Sequence, residues 1–174
     1  CALPISLIID DGQVPAWFEF SGIWFAALQR VEVAATIGPW VKQHRPHLTG
    51  DISARVDAAL AAPKVYSREV AEAEATIEHD LENRAGDALI AWPTMGGPTP
   101  YRNATPETLA SYRNETIRFT ALSPLTRRPE LTIPIADSES APIGLSVIAP
   151  RGKDAQLLTL ATLCQAKGRN NPSA

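Results

Sequence analysis

The sequence predicts an α/β fold in which a mixed β-sheet is flanked by helices. Short β-branched apolar runs alternate with longer stretches whose apolar residues recur at helical spacing. The 45% hydrophobic and 20% charged content is that of a globular protein rather than a disordered chain. Because 174 residues suffice for one sizeable core, we expect 1–174 to form a single unit. We expect it to be mainly helical over 1–86, with further strands and helices over 87–174.

The first segments predict a strand followed by a helical region. Residues 3–9 are short, β-branched and closed by Asp10-Asp11-Gly12, which is typical of a buried strand that ends in a turn. Apolar residues then recur at helical spacing over 17–43. Gly38-Pro39 interrupts that run, so we expect two helices or one bent helix.

Two more helices are predicted before residue 87. Thr49-Gly50-Asp51 can cap a helix that Pro63 would stop. Ser67 is a suitable N-cap for the next helix, and Gly86 is positioned as its C-cap. That helix carries an apolar stripe opposite its glutamates, which predicts an amphipathic helix on the surface. The residues of the stripe are Val70, Ala73, Ile77 and Leu81.

The middle of the chain predicts a buried strand and an irregular loop. Residues 88–92 form an uninterrupted apolar run of strand length, which fits a strand covered on both faces in a parallel or mixed sheet. Residues 93–100 contain three prolines and two glycines, which exclude regular structure. A loop that leaves a central strand is a common place for a ligand in α/β sheets.

The remaining elements are a helix, a strand pair and a final helix. Thr105-Pro106 can start a helix that runs to about Phe119, with Leu109 and Tyr112 on its inner side. Residues 131–135 and 143–148 are typical of strands and are separated by a polar turn at 137–140, so we expect a hairpin-like pair. An apolar helix is expected over 155–166, followed by a polar, frayed tail over 168–174.

Charge and composition exclude several classes of function. The net charge is −3, and the 16 basic residues are spread along the chain, so no basic face is expected to bind nucleic acid. No run approaches the roughly 20 apolar residues needed to cross a membrane. Cys1 and Cys164 show no metal or redox spacing, which favours a reducing cytoplasm over a disulfide scaffold. We expect no metal and no cofactor. Since the only methionine is Met95, we expect further polypeptide upstream of Cys1.

The sequence lacks the common catalytic signatures, including the nucleophile elbow, the P-loop and the dinucleotide-binding glycine loop. His44 and His47 have Pro46 between them and no acidic partner, so surface positions are expected; a solvated helix face is expected for His79. An N-terminal Cys1 could serve as the nucleophile of a self-processed hydrolase. Such hydrolases need long strands directly after the nucleophile, however, whereas here Pro4 and one short strand lead into helices, which disfavours this alternative.

Three ordered segments in the second half carry a resemblance to a known family. They are 87–94 with the proline-rich stretch after it, Phe119-Thr120 separated by eight residues from 129–134, and 141–158. The last includes Pro-Ile-Gly-Leu-Ser-Val-Ile at 142–148 and Gly-Lys-Asp at 152–154. Together these segments resemble the C-terminal region of the amidase signature family of hydrolases.

The resemblance extends more loosely through the first half and has one notable departure. Residues 28–32 and 38–40 look like the helical region that follows the catalytic half in bacterial members. The family usually has Asn-Leu-Ala-Gly-Leu-Pro where this chain has Pro-Leu-Thr-Arg-Arg-Pro at 124–129. Arg127 and Arg128 therefore replace small residues, and their role is not evident from the sequence.

The resemblance implies a parent enzyme that hydrolyses carboxamides by a Ser, cis-Ser, Lys triad. Those residues belong to the N-terminal half of the family, and no serine-rich loop here matches them. None of the lysines matches the catalytic position; they are Lys42, Lys64, Lys153 and Lys167. We therefore expect a C-terminal fragment of an amidase domain that has no catalytic residue of its own and is inactive alone. A noncatalytic structural or regulatory module derived from the same fold is the alternative.

By the same resemblance, the loop after the central strand would wall the acyl-binding pocket. The candidate pocket residues are Trp92, Thr94, Met95, Phe119 and Thr120. Trp92 and Phe119 also fit a purely structural role in the core, because large aromatic residues at the ends of elements usually pack. The expected partners are a small-molecule amide for the parent enzyme, and either a second copy of the chain or the missing N-terminal half.

Overall fold

The computed structural model describes residues 7–8, 15–62, 67–135 and 143–169. Its helices are α1 (Phe18–Thr36), α2 (Gly38–His44), α3 (Gly50–Ala61), α4 (Arg68–Ala85), α5 (Pro106–Thr120), α6 (Leu122–Thr126) and α7 (Asp154–Arg169). Its strands are β1 (Leu7–Ile8), β2 (Leu89–Pro93), β3 (Glu130–Ile135) and β4 (Ile143–Ile148). The α/β fold class predicted from the sequence is confirmed.

The four strands form one sheet in the order β1-β2-β4-β3. Strand β2 pairs parallel with β1 and antiparallel with β4, so the sheet is mixed as predicted. Strands β3 and β4 form the expected antiparallel pair, with Glu130 opposite Ile148 and Ile135 opposite Ile143. The predicted turn at 137–140 lies outside the described residues.

Both faces of the sheet are covered, because alternate residues of β2 and β4 point to opposite sides. Ile148 packs into a core with residues of α1, α4 and α6, and Ile90 and Trp92 lie against the same core. Leu89 and Val147 belong to a second core with Leu157 of α7. Coverage on both sides explains why the sequence of β2 is apolar without alternation.

Local sequence signals explain how α4 and α5 begin. The Ser67 hydroxyl accepts a hydrogen bond from the Val70 N–H at 3.3 Å, and the predicted apolar stripe of α4 is buried. The Thr105 hydroxyl accepts from the Thr108 N–H at 3.2 Å, and Pro106 occupies the first helical position. Gly86 ends α4 with a positive φ of 54°, a conformation that glycine tolerates best.

The predicted interruption near Gly38-Pro39 is confirmed, because α1 ends at Thr36 and α2 begins at Gly38. At the start of α3 the N-cap is Thr49, and its side chain makes no capping hydrogen bond. Leu7 and Ile8 are the described part of the strand predicted over 3–9, and Pro63 lies outside the described residues.

Four features differ from the sequence-based predictions. Strand β2 includes Pro93, the first residue of the segment for which regular structure was excluded, because a proline can take extended backbone angles where its missing N–H is not needed for pairing. Leu109 is 48% exposed rather than inward-facing. It lies in the first part of α5, where no described neighbouring element covers the helix: residues 105–111 are all exposed, and Tyr112 is the first partly buried residue. Helix α6 was not predicted, since five residues that include Pro124 are too few to show a helical period. Helix α7 continues to Arg169, through the Gly168 that was expected to begin the polar tail.

Candidate functional site

The candidate site lies at the end of the sheet where β2 leaves into the proline-rich loop. Because β2 and β4 are antiparallel, the end of β2 lies beside the start of β4, with Pro93 opposite Leu145. The end of β3 reaches the same edge, where Ile135 pairs with Ile143. The ends of β2 and β3 and the start of β4 therefore lie at the same edge of the sheet.

Thr94 is held against β4 by both its backbone and its side chain. Its N–H donates to the Gly144 carbonyl at 3.0 Å, which continues the strand pairing beyond Pro93. Its Oγ1 lies 2.9 Å from Oγ of Ser146, a fully buried side chain. Gly144 lies so close to the Thr94 side chain that a Cβ there would be 2.8 Å from Oγ1. The start of the loop therefore has one defined position over β4.

Met95 and Gly96 connect the loop to α5. The Tyr112 hydroxyl donates to Sδ of Met95, with an O–S distance of 2.9 Å. Gly96 lies directly against the carboxylate of Glu115, so a side chain at this position would displace that group. The loop is thus packed between β4 on one side and α5 on the other.

Trp92 and Phe119 meet in a cluster of aromatic rings below the loop. The Trp92 ring centroid lies 6.0 Å from that of Phe119, 5.4 Å from that of Phe18 and 6.4 Å from that of Trp17. The contacts of Trp92 with Phe18 and Phe119 are edge-to-face, and such contacts stabilise cores beyond the burial of area alone. Nε1 of Trp92 is buried and has no hydrogen-bond partner among the described residues. The cluster therefore contains one donor that the scaffold leaves unsatisfied.

The side chain of Thr120 is hydrogen-bonded within its own helix. Its hydroxyl donates to the Thr116 carbonyl one turn earlier in α5, at 3.1 Å. Next to it along the helix, the Arg118 guanidinium lies 4.8 Å above the Phe18 ring and pairs with Glu19. Of the five predicted pocket residues, the structure brings Trp92 and Phe119 into contact and attaches Thr94 and Met95 to neighbouring elements.

Several residues of this region were not predicted as site residues. Tyr112 was expected only to face inward from α5, and Trp17 only to begin a helical run. Ser146 gave a signal that could have been used, because small residues at alternate positions 144 and 146 of a strand indicate that another segment approaches closely. The positions of Trp17 and Phe18 beside Trp92 had no local signal, since about seventy residues separate them in sequence.

Arg127 and Arg128, which depart from the family pattern, connect the segment just before β3 to α4. Nε and Nη2 of Arg128 donate to the two carboxylate oxygens of Glu78 at 3.2 and 3.3 Å. Nη2 of Arg127 lies 3.6 Å from the Glu74 carboxylate, one turn away on the same helix. Arg127 adopts a positive φ of 54° as it ends α6. Both arginines therefore have a structural partner.

The described side chains show neither a metal site nor an evident base. No group of three or more histidine, cysteine or acidic residues in the described part of the chain could hold a metal ion. The described lysine side chains at positions 42 and 153 are exposed, whereas a lysine that acts as a base must be buried enough to be neutral. Ser21 donates to the Phe18 and Arg118 carbonyls at 2.8 and 3.1 Å. Ser21 therefore has a structural role, because its hydroxyl connects α1 to α5.

His44, His47 and His79 are all exposed. The ring of His44 stacks on that of Trp40 at 5.3 Å, and Nε2 of His79 lies 3.0 Å from the Asn83 amide nitrogen. His47 lies in the segment between α2 and α3. None of the described helices is both long enough and apolar enough to cross a membrane.

Comparisons with known proteins point in one direction. No family model matches the sequence. The chain is 25% identical over 134 residues to Amidase 1 of Arabidopsis thaliana, which covers 76% of this chain and 32% of that protein. It is 26% identical over 150 residues to Amidase 1 of Oryza sativa subsp. japonica, covering 85% of this chain and 34% of that protein. The chain spans about a third of the length of these relatives.

Solved structures agree on the fold. An amidase superimposes with a TM-score of 0.68 at 21% identity, over 86% of this chain and 36% of that chain. One subunit of the glutamyl-tRNA(Gln) amidotransferase of Thermotoga maritima gives a TM-score of 0.50 at 18% identity, over 80% of this chain and 30% of that chain. Sequence and fold together confirm the resemblance to the amidase signature family that the motifs of the second half carry.

Proposed function

We propose that the chain is the C-terminal part of an amidase that hydrolyses the C–N bond of carboxamides. The observation that carries this proposal is its sequence similarity to two proteins named Amidase 1, each matched over about a third of its length. The superposition on an amidase over 36% of that chain supports the same arrangement at the level of fold. The widely spaced cysteines support a cytoplasmic location for the protein.

The proposed chemistry is acyl transfer through a Ser, cis-Ser, Lys triad located in polypeptide outside this chain. A neutral lysine would take a proton through the bridging serine, which would activate the second serine for attack on the amide carbonyl. Backbone N–H groups would stabilise the oxyanion that develops. Buried serines that bond to the scaffold, together with the exposed Lys42 and Lys153, support the view that this chain supplies none of these groups.

The role proposed for this chain is to shape the acyl-binding pocket of the whole enzyme. Thr94 and Met95 are held at the edge of the sheet by β4 and α5, which would give a substrate a rigid wall. Trp92 would contribute an apolar ring and a buried N–H that lacks an acceptor. Phe119 and Thr120 complete the proposed set from the end of α5.

The proposal is tested by assaying ammonia release from simple amides such as acetamide and benzamide. The purified chain should give no turnover above buffer, because no activated nucleophile is expected within it. A protein extended upstream through a serine-rich loop and its lysine should turn over, and replacement of that lysine by alanine should abolish activity. Robust turnover by the chain alone would overturn the proposal. An extended protein that has the loop and the lysine but remains inactive would favour the noncatalytic module instead.

The extended protein also tests the pocket wall. Met95→Ala should change the relative kcat/KM for large and small acyl groups by about tenfold, the size expected for one or two methylenes in an apolar pocket. Tyr101→Ala, at a position that is 87% exposed, is the control and should leave that ratio unchanged. If Met95→Ala, like Tyr101→Ala, leaves the ratio of kcat/KM for large and small acyl groups unchanged, Met95 does not line the pocket.

A further inference from the structure

A cleft lies at the end of the sheet opposite to the proline-rich loop. Asp87 precedes β2, Arg128 precedes β3 and Arg151 follows β4, and the strand register brings these three points together. Glu78 and Glu82 of α4 form the facing side, and the cleft has a volume of about 440 Å³. This size is within the range of small-ligand sites.

Arg128 is the buried basic group of this cleft. Its backbone is fixed by Ser123, whose carbonyl accepts from the Arg128 N–H at 3.1 Å and whose hydroxyl donates to the Arg128 carbonyl at 2.7 Å. Its side chain is 3% exposed, and two of its nitrogens are used by Glu78. Nη1 is buried without a hydrogen-bond partner among the described residues. A buried charged donor of this kind is costly unless an acceptor reaches it.

Arg151 adds a second guanidinium that is half-exposed. Its Nε donates to the Thr126 carbonyl at 2.7 Å and lies 3.6 Å from Oε1 of Glu78. The Glu78 carboxylate is therefore shared by two guanidinium groups and balances only one of their two positive charges. A single carboxylate from a ligand would balance the other and could accept from Nη1 of Arg128.

The rim of the cleft has the opposite character. Glu82 and Asp87 are exposed carboxylates on the lining. Gly86, which also lines the cleft, ends α4, and the last carbonyls of an 18-residue helix carry partial negative charge. A dianion such as phosphate would meet repulsion here, whereas an ammonium group would be attracted.

We propose that this cleft binds a small zwitterion, a free amino acid or ω-amino acid. The ligand's carboxylate would accept from Arg128 Nη1 and Arg151, and its ammonium group would lie against Glu82 and Asp87. Basic donors and acidic groups that line the same cleft match these two ends. Because the cleft and the candidate pocket lie at opposite ends of the sheet, the proposal does not depend on the amidase activity.

The test is calorimetric titration of the chain with glycine, β-alanine and γ-aminobutyrate, which differ in the separation of their charges. At least one should bind saturably, and about tenfold or more tightly than sodium acetate or methylammonium chloride, since each of these keeps one of the two charged contacts. Sodium phosphate should bind more weakly than the best zwitterion.

Variants locate the binding without removing the buried ion pair. Arg151→Gln and Glu82→Gln should each weaken binding of the best zwitterion by about tenfold. Arg113→Gln, at an exposed position on α5, is the matched control and should not change it. Thermal unfolding of each variant checks that it is folded. The proposal is overturned by no saturable binding tighter than about 10 mM, by binding unchanged in both cleft variants, or by acetate or phosphate binding as tightly as the zwitterions.

Discussion

Gly144 lies beneath the Thr94 side chain, where a Cβ would be 2.8 Å from Oγ1 of Thr94 and 3.1 Å from Cγ2 of Thr132. Gly144→Ala should therefore force the start of the loop away from β4. Overpacking of this kind typically costs about 1–3 kcal/mol, and we expect a loss of that size in the free energy of unfolding. Urea denaturation followed by circular dichroism measures it.

Two further variants separate this steric effect from a general effect of replacing glycine. Gly97→Ala is the matched control in the same loop, because a Cβ there would meet nothing within 4 Å; its effect should stay within about 0.5 kcal/mol. Adding Thr94→Ala to Gly144→Ala should reduce the loss relative to the sum of the single variants, since the nearest clashing atom, Oγ1 of Thr94, is removed. Strict additivity would contradict the contact between Thr94 and Gly144.

At the scale of elements, α4 is attached to the start of α1 by one carboxylate. Nε1 of Trp17 donates to Oδ2 of Asp80 at 2.8 Å, and Nε of Arg84 donates to Oδ1 at 2.8 Å. Burial alone raises the pKa of Asp80, but the hydrogen bonds from Arg84 and Trp17 outweigh it and lower the pKa below the ordinary value of 3.8. The folded state therefore prefers the ionised carboxylate.

A lowered pKa makes the contribution of Asp80 depend on pH in a defined direction. The stabilisation is fully present above the unfolded-state pKa of about 4 and is lost as the pH falls through the lower folded-state pKa. Asp80→Asn should lower the free energy of unfolding at pH 7 by about 0.5–1.5 kcal/mol. The difference from the parent chain should shrink below pH 4.

The measurement is urea denaturation of both proteins at pH 7, 5 and 3. Asp57→Asn, at an exposed position on α3, is the control and should change the free energy of unfolding by less than about 0.5 kcal/mol at pH 7. A loss for Asp80→Asn that grows as the pH falls would contradict the ionised hydrogen-bonded arrangement.

At the scale of the whole molecule, several large apolar side chains remain exposed on the described surface. The most exposed aliphatic ones on helices are Ile23 at 67%, Leu158 at 67% and Ile52 at 54%, and Phe20 and Trp40 are exposed by 53% and 50%. Phe20 and Ile23 are three residues apart on α1, so they lie on one face of that helix. Apolar groups concentrated in this way favour association.

We therefore predict that the purified chain self-associates, as its sequence led us to expect. Light scattering should give an apparent mass that rises with concentration. Ile23→Lys should reduce that rise, because it places a charge on the exposed face of α1. Gln29→Lys, at another exposed position of α1, adds the same charge without removing an apolar group and should have little effect. A constant monomer mass for the parent chain would refute the prediction.

The sequence by itself determined those features that depend on neighbours along the chain. Ser67 and Gly86 delimit α4, Thr105 begins α5, and the apolar run of β2 followed by prolines and glycines predicts a strand and a loop. Hydrogen-bonding caps, restricted backbone angles and hydrophobic period act over only a few residues, so they can be read locally. The motifs of the second half likewise led to the amidase signature family, which sequence and fold then confirmed.

Only the tertiary structure decided which distant residues meet. The aromatic cluster joins Trp17 and Phe18 to Trp92 and Phe119, and Arg128 finds Glu78 fifty residues away. Leu109 is exposed although it lies at a helical spacing that suggested burial. Such outcomes depend on how far one element extends over another, and no local pattern encodes that overlap, because packing minimises the free energy of the whole chain.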